Sequence, residues 1–263
     1  MILRCPICHT KLIKNQQQYQ CDNDHRFDIS KEGYLNLLLK QGRKEYGDTS
    51  EMIKARREFL NKGYYQLLSD RLIDLIKEAD VEIVLDSGCG EGYYTDLIKK
   101  TIVNLEIIGV DIAKKAIKIA QKTNKDILYV VAHNQDLPIV SDSVDLVLNC
   151  FAPYEIKEYL RVLKKEGILI MVTPAKEHLL ELKEILYESV YLNEEKVELN
   201  GFKLIKKEVI EYEIKLNDQK DIMALFMMTP YYHRTPVAGK TRLAALDQLK
   251  TKISFMINIY CVE

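Results

Sequence analysis

Four residues near the amino terminus have the types and the spacing of metal ligands. They are Cys5, Cys8, Cys21 and His25, in the pattern C-x2-C-x12-C-x3-H. Structural zinc takes four tetrahedral thiolate or imidazole ligands, and a two-residue gap lets both thiolates of a pair reach one ion. Because four protein ligands leave no position for a reactive water, the pattern predicts structural rather than catalytic zinc. The alternative, a set of incidental surface thiols, does not explain the spacing.

The loop 86–92, with the sequence DSGCGEG, is the second segment whose residues could do chemistry. It follows the apolar run 81–85 and precedes the helix-like stretch 93–100. A strand that ends in glycines and leads into a helix brings backbone N–H groups close to a ligand. A dinucleotide fingerprint would need a third glycine where the chain has Tyr93. The spacing G-x-G-x-G after an aspartate instead resembles motif I of class I methyltransferases, which bind S-adenosylmethionine; a plain strand–helix turn is the alternative.

Motif I implies a role for each residue of this loop. The backbone around Gly88 and Gly90 would face the methionine part of the cofactor. Glu91 and Gly92 would begin the following helix, and Asp86 stands in front of the glycines.

Polar residues that could bind the rest of such a cofactor follow the next two predicted strands. Asp111 ends the next apolar strand, where a carboxylate can accept hydrogen bonds from ribose hydroxyls. Asn134 and Asp136 follow the strand after that, at the position that usually approaches the adenine in this fold. The segment 149–153, NCFAP, takes the place of the substrate-facing loop, and its departure from N/D-P-P-Y argues against an exocyclic amine as the methyl acceptor.

From residue 81 onward, apolar strands alternate with amphipathic helices. The predicted strands are 82–86, 105–111, 127–132, 144–150 and 168–173, and the predicted helices lie near 93–100, 113–123, 155–164 and 177–187. Two further helices are predicted within 51–78, and the last third predicts a strand at 202–214, helices at 219–228 and about 240–249, and a strand at 253–261. This order predicts an α/β fold with a mostly parallel, doubly wound, Rossmann-like sheet and a late antiparallel strand, as in class I S-adenosylmethionine-dependent methyltransferases.

Composition limits the class of protein. The chain has 263 residues, 47% hydrophobic and 29% charged, which excludes a disordered or fibrous protein. No apolar run is long enough to cross a bilayer and the first residues lack the zones of a signal peptide, so we expect a cytoplasmic enzyme. A net charge of −1 neither indicates nor excludes a nucleic-acid partner.

Beyond motif I, the chain as a whole resembles the RlmA-type 23S rRNA (guanine-N1)-methyltransferases. The resemblance rests on the four predicted zinc ligands, on 27–38, 47–52, 55–60 and Tyr65-Gln66, on the motif I loop, and on Thr173-Pro174, His178-Leu179 and 228–230. It implies methylation of N1 of a guanine in a hairpin loop of large-subunit ribosomal RNA. It also implies an N-terminal zinc-binding RNA-recognition module at 1–36, and a methyltransferase domain at 37–263 that begins with a helical connector at 37–80.

The family resemblance also implies contacts with the cofactor. They come from Tyr65, from Tyr93 and Tyr94 after the motif I loop, and from His178. One departure is visible, because the aromatic residue that follows Met-Thr-Pro in the family is often tryptophan, whereas this chain has the run 231–233, YYH, and no tryptophan.

Guanine N1 carries a proton that must leave, so a base or a water path is needed. The ionisable candidates are Asp136, His133 and His178; Asp136 is the candidate base. The predicted phosphate contacts are Arg4, Lys11, Lys14, Arg26, Arg43, Lys44, Arg56 and Arg57. The lysines at 114, 118 and 122 are assigned to a solvated helix face.

Two other functions stay open on sequence alone. The chain could be a small-molecule methyltransferase with a zinc appendage, or a ribosome-assembly factor that keeps the cofactor fold without catalysis. The intact glycine loop followed by Asp111 disfavours the second. The sequence fixes neither the modified guanine nor whether a homodimer acts on one RNA.

Overall fold

The fold is seen in a computed structural model that describes residues 2–39, 47–195 and 197–263. Two of the predicted phosphate contacts, Arg43 and Lys44, lie outside the described residues. The N-terminal part forms a three-stranded antiparallel sheet of β1 (Leu12–Asn15), β2 (Gln18–Cys21) and β3 (Arg26–Asp28). The β1–β2 turn places Gln16 at φ 53°, in the left-handed region that tight turns use.

The rest of the described chain is built on one eight-stranded sheet in the order β10-β11-β9-β8-β5-β6-β7-β4. Its strands are β4 (Leu35–Asn36), β5 (Ile83–Ser87), β6 (Glu106–Asp111), β7 (Leu128–Val131), β8 (Val144–Cys150), β9 (Leu163–Pro174), β10 (Phe202–Leu216) and β11 (Leu249–Val262). The helices are α1 (Ser50–Asn61), α2 (Gln66–Ala79), α3 (Tyr93–Thr101), α4 (Lys114–Thr123), α5 (Ile156–Val162), α6 (Leu180–Leu186), α7 (Gln219–Met227), α8 (Tyr231–Arg234) and α9 (Val237–Ala244). Strands β4 to β9 pair in parallel, while β11 pairs antiparallel with both β9 and β10. The predicted doubly wound sheet with a late antiparallel strand is therefore confirmed.

Alternating side chains of the central strands supply two cores. On β8, Leu146 and Leu148 contribute to one cluster of buried residues and Val147 to the other. Helices α1 to α4 cover the first cluster together with α6 and α7. The second cluster is covered by α5 and by the zinc module, which buries Leu3 and Leu12 there. The zinc module is thus part of the layer that closes one face of the sheet.

The chain joins the two parts at an edge of the large sheet. Asn36, the last residue of the predicted zinc module, pairs with Val131 of β7, and the isolated bridge between Leu3 and Ile139 adds a second connection. Periodicity does not predict a strand of two residues, so β4 was absent from the sequence-based prediction.

The C-terminal helix differs from its predicted position. The pattern predicted a helix at about 240–249, but α9 ends at Ala244 and Leu249 already begins β11, paired with Leu216. Pro230 and Pro236 directly precede α8 and α9. Proline favours the start of a helix, and these two positions divide the segment into two short helices that end earlier than predicted. None of the described helices is both long and apolar enough to cross a membrane.

Candidate active site and zinc centre

The four predicted zinc ligands lie together, with their ligand atoms all within 4.8 Å of one another. Cys8 Sγ is 3.6 Å from Cys21 Sγ, and His25 Nδ1 is 3.4 Å from Cys21 Sγ and 3.5 Å from Cys5 Sγ. Tetrahedral zinc with Zn–S bonds of ~2.3 Å separates its sulfur ligands by about 3.7 Å. The donor set and its spacing therefore fit one tetrahedral zinc ion.

Local backbone geometry explains why these ligands converge. His9 and Asp24 adopt φ values of 60° and 61°, which turn the chain sharply after Cys8 and before His25. The His9 amide donates to the Cys5 carbonyl, and the Ile7 amide donates to Cys5 Sγ at 3.4 Å. His9 is exposed and lies outside the cluster. Hydrogen bonds from Thr10 lower the pKa of the Cys8 thiol to about 5, which favours the thiolate that binds metal.

The motif I loop leaves the end of β5 and begins α3. Gly88 and Gly92 have φ values of 87° and 80°, where residues with a Cβ are strained. A Cβ at Gly88 would lie 2.2 Å from the Cβ of Ala152 in the loop after β8. The Gly88 amide donates to the Val110 carbonyl at 2.8 Å, which fixes the turn against β6. Glycine is therefore required for both the conformation and the space.

Asp111 holds the same loop from the neighbouring strand. Its carboxylate accepts hydrogen bonds from the Gly90 amide at 2.9 Å and from the Ala113 amide at 2.7 Å. Burial raises the pKa of this carboxyl group, against the lowering effect of the two amides. A carboxylate has about four acceptor positions, so Asp111 keeps two acceptor positions for a ligand with hydroxyl donors.

Asp86 and Glu91 add two more buried carboxyl groups. Thr95 of α3 donates a hydrogen bond to Asp86, so Asp86 connects the start of the loop to the helix that follows it. Burial raises the pKa of each carboxyl group to about 7, and for Glu91 the nearby Arg57 and Arg56 partly offset this. Glu91 Oε2 has no hydrogen-bond partner among the described residues. S-adenosylmethionine carries a positively charged ammonium and a positively charged sulfonium. The buried carboxyl groups of Asp86 and Glu91, with the unpartnered Glu91 oxygen, therefore fit that cofactor.

Two of the aromatic residues assigned to the cofactor, Tyr65 and His178, lie near the end of β9, and the other two begin α3. Tyr65 and His178 pack edge-on with ring centroids 6.4 Å apart, and both contact Phe255 of β11 at 4.8 Å. His178 Nδ1 accepts a hydrogen bond from the Ser254 amide, and burial lowers the pKa of the imidazole to about 3. This ring is neutral at physiological pH. Tyr93 packs edge-on against Tyr94, with ring centroids 5.1 Å apart, at the start of α3.

The loop after β7 touches both the cofactor loop and the zinc module. Asn134 Nδ2 donates to the Pro153 carbonyl at 2.9 Å and lies 3.7 Å from where a Gly88 Cβ would be. Asp136 is ion-paired with Arg4, and its side chain is 48% exposed. Arg4 also contacts Glu158 at 3.4 Å and is itself only 13% exposed, so it is engaged within the protein rather than open to phosphate.

Arg56 belongs to the site in a way that the sequence did not reveal. Its guanidinium pairs with Asp48 and donates to the Met228 carbonyl at 3.5 Å, and its Nη1 is 4.0 Å from where a Gly90 Cβ would lie. It was predicted as a phosphate contact, yet it lies over the cofactor loop. The contact joins residues 172 positions apart, and no local pattern encodes it.

Comparison with known proteins agrees with both parts of this site. The zinc-ribbon model described as RlmA, N-terminal, matches residues 3–44, and a methyltransferase-domain model matches 85–171. A Bacillus subtilis protein with the provisional name 23S rRNA (guanine-N1)-methyltransferase is 30% identical, over 95% of this chain and 92% of its own length. The 23S rRNA (guanine(748)-N1)-methyltransferase of Streptomyces fradiae is 33% identical over 70% of this chain and 67% of its length.

A solved structure supports the fold alone. A protein of Bacillus halodurans, provisionally described as a methyltransferase, aligns with a TM-score of 0.50 at 15% identity, over 72% of this chain and 96% of its own. With the zinc ribbon, the glycine loop and the near full-length relative together, the chain belongs to the RlmA-type 23S rRNA (guanine-N1)-methyltransferase family.

Proposed function

We propose that this protein transfers the methyl group of S-adenosylmethionine to N1 of a guanine in a hairpin loop of 23S ribosomal RNA. The observation that carries the proposal is the direct contact between the zinc module and the loop 132–138 at the rim of the cofactor site. An RNA-binding module fixed there would present a hairpin beside the methyl donor. A ribosomal substrate would place the reaction in the cytoplasm.

The cofactor supplies an electrophilic methyl group, and the protein holds the cofactor and the RNA base in position. In-line transfer gains most from holding donor and acceptor at attack distance in a site without bulk water. The glycine loop, Asp111 and Glu91 would hold the donor, while Tyr65 and His178 close its apolar side. The buried His178 imidazole stays neutral, so it adds no charge that would oppose the positively charged donor.

Proton removal from N1 is assigned to Asp136. The support for this is its place on the loop that also carries Asn134, next to the glycine turn. Its ion pair with Arg4 gives it a second role in holding the zinc module, and the two roles predict different mutant phenotypes.

Lys11, Lys14 and Arg26 of the zinc module are proposed to contact RNA phosphates. All three are exposed on the small sheet, and Arg26 pairs only with the exposed Asp24 among its described ion-pair partners. Contacts of this kind make affinity fall as salt rises. Sizing of the protein–RNA complex by light scattering distinguishes one copy from a homodimer on each hairpin.

Primer extension on ribosomal RNA from cells with and without the gene tests the proposed function. Methylation of N1 blocks the Watson–Crick edge, so reverse transcriptase stops at the modified guanine. We expect one stop in a hairpin of 23S ribosomal RNA to vanish on deletion and to return with the wild-type gene. An unchanged pattern of stops, together with methylation only of a small molecule in vitro, would exclude the proposal.

A further inference from the structure

A cavity of about 360 Å³ opens beside the carboxyl ends of β8 and β9. Tyr154, Thr173 and Pro174 line it on the side of these strand ends, and Asn258 and Tyr260 of β11 line its wall. Its volume lies within the range of ~300–1,000 Å³ typical of small-ligand sites. None of its residues was among the predicted site residues.

Two residues that line this cavity each have a buried side-chain polar atom without a hydrogen-bond partner among the described residues. These atoms are Asn258 Oδ1 and Thr173 Oγ1, and the Asn258 residue as a whole is only 1% exposed. An unpaired buried acceptor costs free energy, so native proteins usually satisfy such groups. A ligand with a hydrogen-bond donor would satisfy Asn258.

The orientation of the Asn258 amide follows from its neighbours. The Tyr260 hydroxyl donates to the Val197 carbonyl at 2.7 Å, so it can only accept from Asn258. Asn258 lies two residues before Tyr260 on β11, so both side chains are on one face of the sheet and the Asn258 amide nitrogen is the group that can donate to this hydroxyl. The amide oxygen is the buried atom without a partner, and Asn258 is one of the residues that line the cavity.

The loop after β8 joins this cavity to the cofactor loop. Ala152 lies against Gly88, and two residues later Tyr154 stands at the cavity rim, 39% exposed. Between β8 and that rim, Phe151 has the strained φ of 59°, and its amide donates to the Val172 carbonyl next to Thr173. Strain in a residue without glycine's freedom is typical of functional sites.

The lining suits a neutral base rather than a phosphate. The described lining residues include no lysine or arginine, and Glu194 adds a carboxylate. Asn193, Thr173 and Asn258 are its neutral polar residues, and the other lining residues are aromatic or apolar. Sites that take an extruded base by stacking and by hydrogen bonds to its edge have this composition.

We infer that this cavity receives the extruded target guanine, with Tyr154 stacking on the base and Asn258 Oδ1 accepting from its 2-amino group. The inference rests on the proposed function. N1 must stay open to the methyl group of the cofactor. The 2-amino group is therefore the hydrogen-bond donor on the Watson–Crick edge that the protein can bind. Thr173 lies beside Asn258 as the second polar contact.

The test pairs a change in the RNA with a change in the protein. A 23S hairpin is prepared with inosine at the target position, because inosine lacks only the 2-amino group of guanosine. Wild-type protein should lose kcat/KM on the order of tenfold or more with inosine. Asn258→Leu should lose about as much on guanine and then discriminate little between the two bases.

Controls separate this role from folding and from the cofactor. Gln219→Leu removes another side-chain amide whose buried oxygen lacks a described partner, and it should keep the wild-type discrimination between guanine and inosine. Cofactor affinity, measured by calorimetry, should be unchanged in Asn258→Leu. Thr173→Val is a second variant in the cavity and is expected to raise the KM for RNA with little change in cofactor affinity.

Three outcomes are distinguishable. No N1-methylguanine from wild-type protein on the guanine hairpin overturns the proposed function and this inference together. Equal rates of wild-type protein on guanine and inosine overturn the inference alone, and this result needs no variant to fold. Discrimination by Asn258→Leu as strong as in wild type also overturns it.

Discussion

Arg4, which directly precedes the first zinc ligand, donates a hydrogen bond to the carboxylate of Asp136, 132 residues further along the chain. Its Nε also donates to the Leu137 carbonyl at 3.0 Å, and its guanidinium reaches Glu158. Burial lowers the pKa of Arg4, with the nearby Arg161 acting in the same direction. One side chain therefore connects the zinc module to the loop that approaches the cofactor site.

Arg4→Met is expected to destabilise the protein by about 1–2 kcal/mol, because it removes one charged donor from Asp136, Glu158 and the Leu137 carbonyl. The cost stays moderate because Arg161 still donates to both Glu158 and the Leu137 carbonyl. Asp136→Asn should cost about 1 kcal/mol or less, since its side chain is about half exposed. Unfolding free energies of the two single variants and of the double variant should be non-additive. Additive values would show that the two side chains do not interact in solution.

Asp136→Asn also separates the two roles of this residue. As the base, its loss should lower kcat on the RNA hairpin by about 100-fold or more, with cofactor affinity kept. Arg4→Met should retain most of kcat once folded. A near-normal kcat in Asp136→Asn would reduce its role to holding Arg4.

Zinc should be present at one ion per chain and should be lost in Cys21→Ser. With one of four ligands gone, the small sheet has too little core to stay folded on its own. Cys261→Ser is the matched control, because this free cysteine lies on β11 outside the ligand cluster. Elemental analysis gives the metal content, and limited proteolysis within residues 1–36 reports the unfolding. Full zinc content in Cys21→Ser would contradict the assignment.

Gly88→Ala and Gly63→Ala form a matched pair. Both glycines have a positive φ, 87° and 80°, which alone costs a substituted residue about 1–2 kcal/mol. A Cβ at Gly63 meets nothing within 4 Å, whereas one at Gly88 overlaps Ala152. Calorimetric titration should show cofactor affinity reduced on the order of tenfold or more in Gly88→Ala and unchanged in Gly63→Ala. Equal affinities in the two variants would exclude a close approach of the cofactor to Gly88.

The burial of the His178 imidazole leads us to expect that the free energy of unfolding depends on pH. Burial lowers the pKa of its imidazole in the folded state to about 3, from 6.5 when unfolded. Between these values the unfolded chain binds the extra proton, so the contribution of His178 to stability falls as pH falls below 6.5. At pH 5 the loss is on the order of 2 kcal/mol. The raised pKa values of Asp86 and Glu91 act in the opposite direction, so the comparison is between variants and wild type.

His178→Gln should flatten that part of the stability curve while keeping an acceptor for the Ser254 amide. Denaturant unfolding at pH 7, 6 and 5 measures it. The exposed His133 gives the control, and His133→Gln should follow the wild-type curve. An equal slope in His178→Gln and wild type would mean that the imidazole is not buried as neutral.

The parts of the site that the sequence predicted are those coded by short spacings. The spacing of Cys5, Cys8, Cys21 and His25 along the chain was enough to predict a tetrahedral metal site. Likewise, the alternation of apolar strands and helices from Ile83 to Cys150 determined the sheet, and Asp111 at a strand end follows from parallel pairing.

The contacts that the sequence could not predict join distant segments. Arg56 reaches the cofactor loop from α1, and Asn258 lines a cavity together with Thr173 and Pro174, which are far from it along the chain. Such contacts depend on how helices and strands pack, and the hydrophobic periodicity of a short segment does not predict that packing. Strand β4 is too short to show any period, although its pairing decides where the zinc module sits.

Strand β4 has one more consequence. Its two residues, Leu35 and Asn36, occupy the hydrogen-bonding edge of β7, which would otherwise end the sheet. An uncovered edge strand is a template on which another chain can pair. Only β3 and a short loop separate β4 from the last zinc ligand, His25. We therefore expect loss of the metal to loosen β4 from that edge and to increase self-association of the protein.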